Sequence, residues 1–144
     1  IFGVIPGTLK PEYHFRFPNH SDFARMMVDL DEYFKVKLCI CDAIVGMEGN
    51  GPTMGTPRKI GAVLASESPH KMDLVCAKII GLTKSDVPTL EAAYERGLVP
   101  ASAEELNVFG DVDSLVIVPL RNVPICSAAT ASLLTISLLC CCEL

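Results

Sequence analysis

A glycine-rich segment in the first half of the chain contains the residue types from which an anion site is built. Glycines stand at positions 46, 49, 51 and 55, and two basic residues, Arg58 and Lys59, follow shortly afterwards. Glycine permits positive φ, so successive N–H groups can point into one concavity, and the basic side chains add positive charge. We therefore predict a site for an anionic small molecule or phosphate, formed by Gly49, Asn50, Gly51, Thr53, Gly55, Arg58 and Lys59.

Two other interpretations of these glycines follow from the residues around them. A dinucleotide fingerprint needs a helix directly after its glycines, whereas Pro52 and Pro57 interrupt this segment and a strand is predicted after it. The fingerprint is therefore not predicted. The second interpretation, in which the glycines serve only the turns of a tight connection, stays open.

Three acidic residues are predicted to act around this segment. Asp42 and Glu48 stand before and within it, and their oxygens are predicted to hold a divalent cation beside a phosphate. For Glu48 the alternative is an ordinary solvated charge. Asp73 lies in the first turns of a predicted helix, where its charge gains from the helix dipole or its carboxylate accepts N–H bonds from the glycine-rich segment.

His14 is the candidate for proton transfer near neutral pH. Residues 1–18 are predicted to be loop-rich, and within them His14 and Arg16 alternate with aromatic residues and share one face if this segment is extended. Such a pair binds a carboxylate or phosphate, or its imidazole acts as an acid or base. A structural or merely exposed histidine is the alternative.

Three helices are predicted to support these residues. Apolar residues at helical spacing predict a helix over about 20–34, with Asn19 as its cap. Ser68, followed by a proline, begins a second helix that ends at Gly81. A third, short helix is predicted over 88–97.

The predicted strands alternate with these helices. The apolar run over 36–45 predicts a buried parallel strand, and 59–65 predicts the next one. The segment 46–57 between them is predicted to be irregular, and 106–109 and 115–118 are two further strand candidates. This order predicts an α/β layered domain with a mixed, largely parallel sheet flanked by about three helices.

Composition and charge restrict the class of protein. The chain has 144 residues, a net charge of −5 and 50% apolar residues, which excludes disorder as its main state. The acidic balance excludes broad nucleic-acid binding, which requires a basic face. One domain is predicted over 1–118, and because residue 1 is Ile we expect an upstream part to be missing.

Residues 119–144 differ in composition from the predicted domain. Positions 123–142 contain no charged residue, and this uncharged stretch is long enough for a membrane span. Serine and threonine dilute this stretch and no basic anchors follow it, so we do not expect it to cross a membrane. A packed tail, a disordered tail and a stretch outside the natural reading frame are the alternatives.

The seven cysteines predict a reducing, cytoplasmic location, because their odd number and irregular spacing do not form a secreted disulfide framework. Cys39 and Cys41 are two residues apart in a predicted strand and are predicted to be small core residues. The adjacent cysteines at 140–142 lack the C-x₂-C-x₂-C spacing that holds a four-iron cluster.

The run Asp-Ala-Ile-Val-Gly-Met-Glu-Gly-Asn-Gly-Pro-Thr-Met-Gly over 42–55 resembles domain of unknown function family 362, the prokaryotic iron–sulfur-centre proteins. Gly-Ala-Val-Leu-Ala-Ser over 61–66, the helix containing Met72 and Asp73, and the opening Phe2-Gly3 extend the resemblance over about 1–118. Carried over by position, the motif residues are Asp42, Glu48, Gly49, Gly51, Pro52, Gly55 and Asp73.

The resemblance implies a redox context without naming a reaction. Many members add a ferredoxin-type four-cysteine segment, which implies a 4Fe–4S cluster as cofactor and a ferredoxin-type module as partner. The ligand motif C-x₂-C-x₂-C-x₃-C-P is absent after residue 118 of this chain. The cluster is therefore implied by the family and not by the residues present.

Three functions remain as hypotheses. The first is an uncharacterised, redox-linked domain that binds an anionic small molecule or phosphate at the glycine-rich segment. The second is a non-enzymatic binding or structural module in which the glycines are purely structural. The third is a domain tethered to a membrane by its uncharged tail.

Overall fold

The computed structural model describes residues 2–50, 54–117 and, as backbone only, 137–139. Within these residues the structure has four α-helices: α1 (Lys10–Arg16), α2 (His20–Phe34), α3 (Pro69–Ile79) and α4 (Pro88–Glu95). The same described residues form three strands: β1 (Cys39–Asn50), β2 (Met54–Ser66) and β3 (Ser137–Leu139). The combination of helices and strands agrees with the predicted mixed class, with one more helix than expected.

The described sheet is antiparallel, so the prediction of a largely parallel sheet is wrong. β1 pairs with β2 from Cys39 opposite Ser66 to Asn50 opposite Met54, and β3 pairs antiparallel with the other edge of β1. Only residues 51–53 separate β1 from β2, and parallel strands need a crossover of a dozen or more residues. The helices precede and follow this hairpin instead of crossing between its strands.

The segment 46–57 is also more regular than predicted. Apart from residues 51–53, which lie outside the described part, it continues the ladder of β1 and β2. Its glycines and prolines favour turns, but the pairing across the hairpin overrides that local preference. The glycine-rich segment is therefore the far end of a long hairpin and does not follow the end of a strand.

The register of the hairpin shifts near its middle. Ala43 lies opposite Ala62, whereas Val45 lies opposite Lys59, so β2 has one more residue than β1 in this interval. Gly61, inside the irregularity, has φ +87°, which a residue with a Cβ rarely adopts. On β1 the buried side changes from residues 39, 41 and 43 to Gly46, and Glu48 follows it as a partly buried residue.

The predicted helices α2, α3 and α4 are confirmed, since their ends are set by local signals. The Asn19 side chain accepts a 2.8 Å hydrogen bond from the Ser21 N–H and caps α2. Ser68 caps α3 by accepting from the Lys71 N–H at 3.4 Å, and Gly81 follows its end with φ +75°.

The first helix, α1, corrects the expectation of an extended segment around Tyr13 and Phe17. Lys10–Arg16 is helical, with Pro11 in its first turn and a 3.0 Å ion pair between Arg16 and Glu12. The aromatic alternation that suggested a strand instead places Tyr13 and Phe17 on one side of the helix, where their rings stack.

Two layers of side chains form the core around α3. One side of α3 packs with α2 and α4 in a cluster of buried aliphatic residues: Ala24, Val28, Leu74, Ala77, Leu90, Ala92, Ala93 and Val99. Its other side packs on the hairpin, where the buried residues are Cys39, Cys41, Ala43, Met72 and Cys76. Burying these apolar surfaces fixes α3 between the hairpin and the other two helices.

The described residues of the two strand candidates after α4 are not strands. Residues 106–109 have no regular structure. In the second candidate, Leu115 ends the 3₁₀ turn Asp113–Leu115, and Ile117 donates a 2.8 Å hydrogen bond to the Ile79 carbonyl. These runs are too short to pair without a neighbouring edge strand. Val118 and nearly all of 119–144 lie outside the described residues, as do the predictions made for that tail.

In the part of the chain that the structure describes, the longest helix is α2 with 15 residues, and no helix meets the length and hydropathy that a membrane span requires.

Candidate functional site

The glycine-rich end of the hairpin carries most of the predicted anion-binding residues. Gly49 lies opposite Gly55 and Asn50 opposite Met54, while Gly51 and Thr53 belong to the undescribed reversal between them. Gly49 has φ +82°, a conformation that favours glycine. The structure thus places Gly49, Asn50 and Gly55 at one end of two paired strands, with Arg58 and Lys59 further along β2, toward the register shift.

Gly55 is required there by a close approach of the opposite strand. A Cβ at this position would lie 2.6 Å from the Met47 sulfur and 2.9 Å from the Glu48 carbonyl oxygen. The sulfur can move, but the carbonyl belongs to the paired backbone. Gly55 therefore has a packing reason for being glycine, independent of any ligand.

Arg58 and Glu48 form the charged centre of this end of the hairpin. Glu48 opposes Thr56, and Arg58 lies one diagonal step away, with its Nη1 3.5 Å from Glu48 Oε2. The Glu48 side chain is 17% exposed and that of Arg58 is 40% exposed. Lys59, opposite Val45, is exposed on the other face.

Neither charged group is saturated by this contact. Glu48 Oε2 is buried and has no hydrogen-bond partner, and Arg58 donates no hydrogen bond to any described residue. A charge-assisted hydrogen bond between such groups is about 2.7–2.9 Å long, so 3.5 Å is a loose ion pair. The guanidinium therefore keeps its donors, beside Glu48 on the hairpin.

Asp42 and Glu48 are not brought together. Glu48 stands six positions after Asp42 in the extended strand β1, a span of about 20 Å. Asp42 is exposed, and its Oδ1 accepts a 2.9 Å hydrogen bond from the Ile44 N–H. Among the residues that the structure describes, no group of three or more His, Cys, Asp or Glu side chains is arranged to hold a metal ion. A cation shared by Asp42 and Glu48 is therefore not assembled.

Asp73 lies deeper in the fold than predicted. Burial raises its pKa to about 6, opposed by the neighbouring His70 and reinforced by the negative charge of Asp31. None of the hydrogen bonds in residues 2–50 and 54–117 joins Asp73 to the glycine-rich segment. That it ties this segment through backbone N–H groups stays a prediction, since residues 51–53 lie outside the described part.

His70 and Asp31 form a buried pair that the sequence analysis missed. His70 Nε2 lies 2.8 Å from Asp31 Oδ2, and both side chains are almost completely buried, between α3 and α2. Neither Asp31 Oδ1 nor His70 Nε2 has a hydrogen-bond partner, so the 2.8 Å contact is a close approach of the two groups and not an aligned hydrogen bond. A signal was present: Asp31 follows Ala24 and Val28 at intervals of four and three residues, which places it on the buried face of α2.

Two thiols lie at the contact of α3 with the sheet. Cys41 and Cys76 are buried in one cluster, and the Cys76 thiol donates a hydrogen bond to the Cys41 sulfur. This bond lowers the pKa of Cys41, against burial and the charge of Asp73, and raises the pKa of Cys76. The prediction that Cys39 and Cys41 belong to the core is confirmed.

His14 is not paired with Arg16. The His14 ring stacks on Phe23 with centroids 4.7 Å apart and meets the Phe2 ring edge-on at 5.4 Å. Two residues apart on a helix, His14 and Arg16 point to nearly opposite sides, and Arg16 pairs with Glu12 instead. The described contacts of His14 are those of an aromatic packing residue.

Comparison with known proteins adds three findings. The family "Domain of unknown function (DUF362)" matches residues 1–78. The thylakoid-associated protein sll1697 of Synechocystis sp. is 34% identical over 105 residues, which cover 72% of this chain and 33% of that protein. The chain thus spans about a third of the length of this curated relative, and no solved structure matches it significantly.

Proposed function

The chain belongs to the family Domain of unknown function (DUF362), and from this premise we propose that it binds an anionic small molecule or phosphate at the glycine-rich end of the β1–β2 hairpin. The observation that carries the proposal is the Arg58 guanidinium, which lies beside this end with a loose ion pair and no hydrogen bond to described residues. A planar guanidinium with open donors is suited to bind the two oxygens of a phosphate or carboxylate.

Glu48 has a positioning role in this proposal. Its carboxylate is more buried than Arg58 and lies on one side of the guanidinium, so the ligand takes the outer side. Two like charges around one guanidinium repel each other, which limits the affinity for a bare anion. Attraction from backbone N–H groups of the glycine-rich segment and from the charge of Lys59, on the other face of β2, is part of the proposal.

A redox link is supported only by the resemblance to iron–sulfur-centre proteins. In the described part of the chain, no three His, Cys, Asp or Glu side chains are arranged to hold a metal ion, and Cys39, Cys41 and Cys76 are buried. These cysteines therefore do not fit a 4Fe–4S cluster. A ferredoxin-type module would supply electrons when present. The proposed anion binding does not depend on this module.

The proposed binding unit is the domain predicted over 1–118, in a cytoplasmic, reducing location. The core layer between the helices and the core layer that faces the sheet both lie within these residues. The relative is named a thylakoid-associated protein, so association with thylakoids is the alternative to this proposed location.

The second candidate function is a non-enzymatic binding or structural module. The contact of Gly55 with Met47 and Glu48 favours it, because a glycine there has a structural reason. The outer face of the hairpin favours it too, since it exposes several large apolar side chains: Ile44, Val45, Met47, Met54 and Val63.

Calorimetric titration of the full chain with inorganic phosphate and with pyrophosphate, at constant ionic strength, separates the two functions. Arg58→Gln is the test variant, and Arg16→Gln is the matched control, because it removes the same charge from an exposed ion pair on α1. We expect Arg58→Gln to weaken binding at least tenfold and Arg16→Gln to leave it within twofold. Equal weakening by both variants, or no measurable binding to the parent chain, favours the module without an anion site.

A further inference from the structure

Three titratable side chains follow one another along α3. His70, Asp73 and Cys76 are spaced at three-residue intervals, so they form a slanted stripe that turns by about 120° around the helix axis. The stripe runs from the α2 side of α3, at the His70–Asp31 contact, to its hairpin side, at the Cys76–Cys41 contact. The stripe is independent of Arg58 and of the glycine-rich end of the hairpin.

The two thiols at the end of this stripe are already in contact. Cys41 is 0% exposed and Cys76 is 5% exposed, and both are free thiols. They belong to the same buried cluster and share a thiol–thiol hydrogen bond across the interface of β1 and α3. A disulfide between them would join two elements that already pack against each other, β1 and α3.

We propose that Cys41 and Cys76 are a redox-active thiol pair, which a small peroxide oxidises to a disulfide that joins β1 to α3. Cys41 is the attacking sulfur, because it accepts the hydrogen bond that Cys76 donates and its thiolate form is thereby stabilised.

The chemistry balances with hydrogen peroxide as the oxidant. The Cys41 thiolate attacks one peroxide oxygen, the O–O bond breaks, and the released hydroxide takes a proton to form water, which leaves a sulfenic acid on Cys41. The Cys76 sulfur then attacks the Cys41 sulfur, the S–O bond breaks, and hydroxide leaves with the Cys76 proton as a second water. Two thiols are oxidised by two electrons and one peroxide is reduced.

Burial determines which oxidant is effective. A thiol that is nearly inaccessible to solvent does not meet a bulky disulfide, whereas a peroxide of two oxygen atoms reaches it through small openings of the fold. We therefore expect hydrogen peroxide to form the crosslink at least tenfold faster than glutathione disulfide at equal concentration.

Peptide mapping of the full chain tests the proposal directly. After treatment with hydrogen peroxide and blocking of remaining thiols under denaturing conditions, trypsin releases residues 38–58 and 72–78, which contain Cys41 and Cys76. We expect these two peptides to be joined, and separated again by dithiothreitol. Cysteic or sulfinic acid on either residue without a joined peptide contradicts the proposal.

Single variants assign the bond. Peptide 38–58 also contains Cys39, so Cys39→Ala is the matched control from the same strand face. The joined peptide should persist in Cys39→Ala and disappear in Cys41→Ala and Cys76→Ala, with folding checked by circular dichroism. Loss of the bond in folded Cys39→Ala, or its persistence in Cys41→Ala, overturns the assignment, and the result in the parent chain decides the proposal if a variant does not fold.

Discussion

Replacing Asp73 with Asn is predicted to stabilise the protein at neutral pH. The folded chain raises the pKa of Asp73 from its ordinary value of 3.8 to about 6, chiefly because burial disfavours the charged carboxylate. The folded state therefore binds a proton more tightly than the unfolded chain does. Stability contributed by this group is fully present below pH 4 and is lost as the pH rises through 6.

The magnitude follows from the two pKa values. Each pKa unit corresponds to about 1.36 kcal/mol, so at pH 7.5 the charged Asp73 costs the folded state about 3 kcal/mol. Asn has nearly the same shape and carries no charge at any pH. The Asp73→Asn variant should therefore exceed the parent chain in unfolding free energy by up to about 3 kcal/mol at pH 7.5 and equal it at pH 3.5.

Urea unfolding followed by circular dichroism at pH 3.5, 5, 6 and 7.5 measures this difference. Asp22→Asn is the matched control, since Asp22 is an exposed residue in the first turn of α2 with a 3.5 Å ion pair to Arg25. The control should change stability by less than about 0.5 kcal/mol at every pH. A stability gain that does not grow between pH 5 and 7.5, or a loss at pH 7.5, refutes the reasoning.

Two further substitutions test the packing around the site. His70→Ala leaves the buried Asp31 carboxylate without the partner 2.8 Å away, and should lower the unfolding free energy by about 3–5 kcal/mol. The control, His20→Ala at an exposed position, should change the unfolding free energy little. Equal effects of the two variants in urea unfolding would contradict the buried pair. Gly55→Ala brings a methyl group to 2.9 Å from the Glu48 carbonyl oxygen and should lower the unfolding free energy by about 1–3 kcal/mol. Gly3→Ala, with open space around the added methyl group, serves as the control. An unchanged melting temperature in Gly55→Ala would show that the hairpin end adapts freely.

The helices could be predicted because their ends depend on neighbouring residues. Asn19 and Ser68 supply side-chain oxygens to N–H groups two or three residues away, and Gly81 supplies the positive φ that ends α3. Such signals are complete within a few residues of sequence. The helical cluster around Val28 and Leu90 follows from them through the apolar stripes.

The hairpin could not be predicted in the same way, because its structure depends on pairing between distant residues. Glycines and prolines over 46–57 predict turns locally, yet the ladder from β1 to β2 holds both sides of this segment in extended conformation. The register shift near Ala43 then turns Glu48 toward the buried side, where strict alternation places Met47. The contact between Glu48 and Arg58 is a consequence of that shift.

The buried acids show the same limit at the level of single residues. Asp73 was singled out for its position beside a buried stripe, but its neighbours His70 and Asp31 come from the packing of α3 on α2. Asp31 was recognisable from its spacing with Val28, whereas nothing in the local sequence says which charge opposes it. The periodicity of the apolar residues predicts that an acid is buried, but it does not predict which residue pairs with that acid.

An NMR titration of the uniformly ¹⁵N-labelled full chain with inorganic phosphate tests the proposed anion site most directly. The account predicts saturable shifts of the Gly49 and Gly55 amide signals and of the Arg58 side-chain Nε–H, at constant ionic strength. It also predicts that Arg58→Gln abolishes the amide shifts, while Arg16→Gln preserves them. Shifts confined to other parts of the chain, or identical shifts in both variants, would contradict the claim that the glycine-rich end of the hairpin binds an anion.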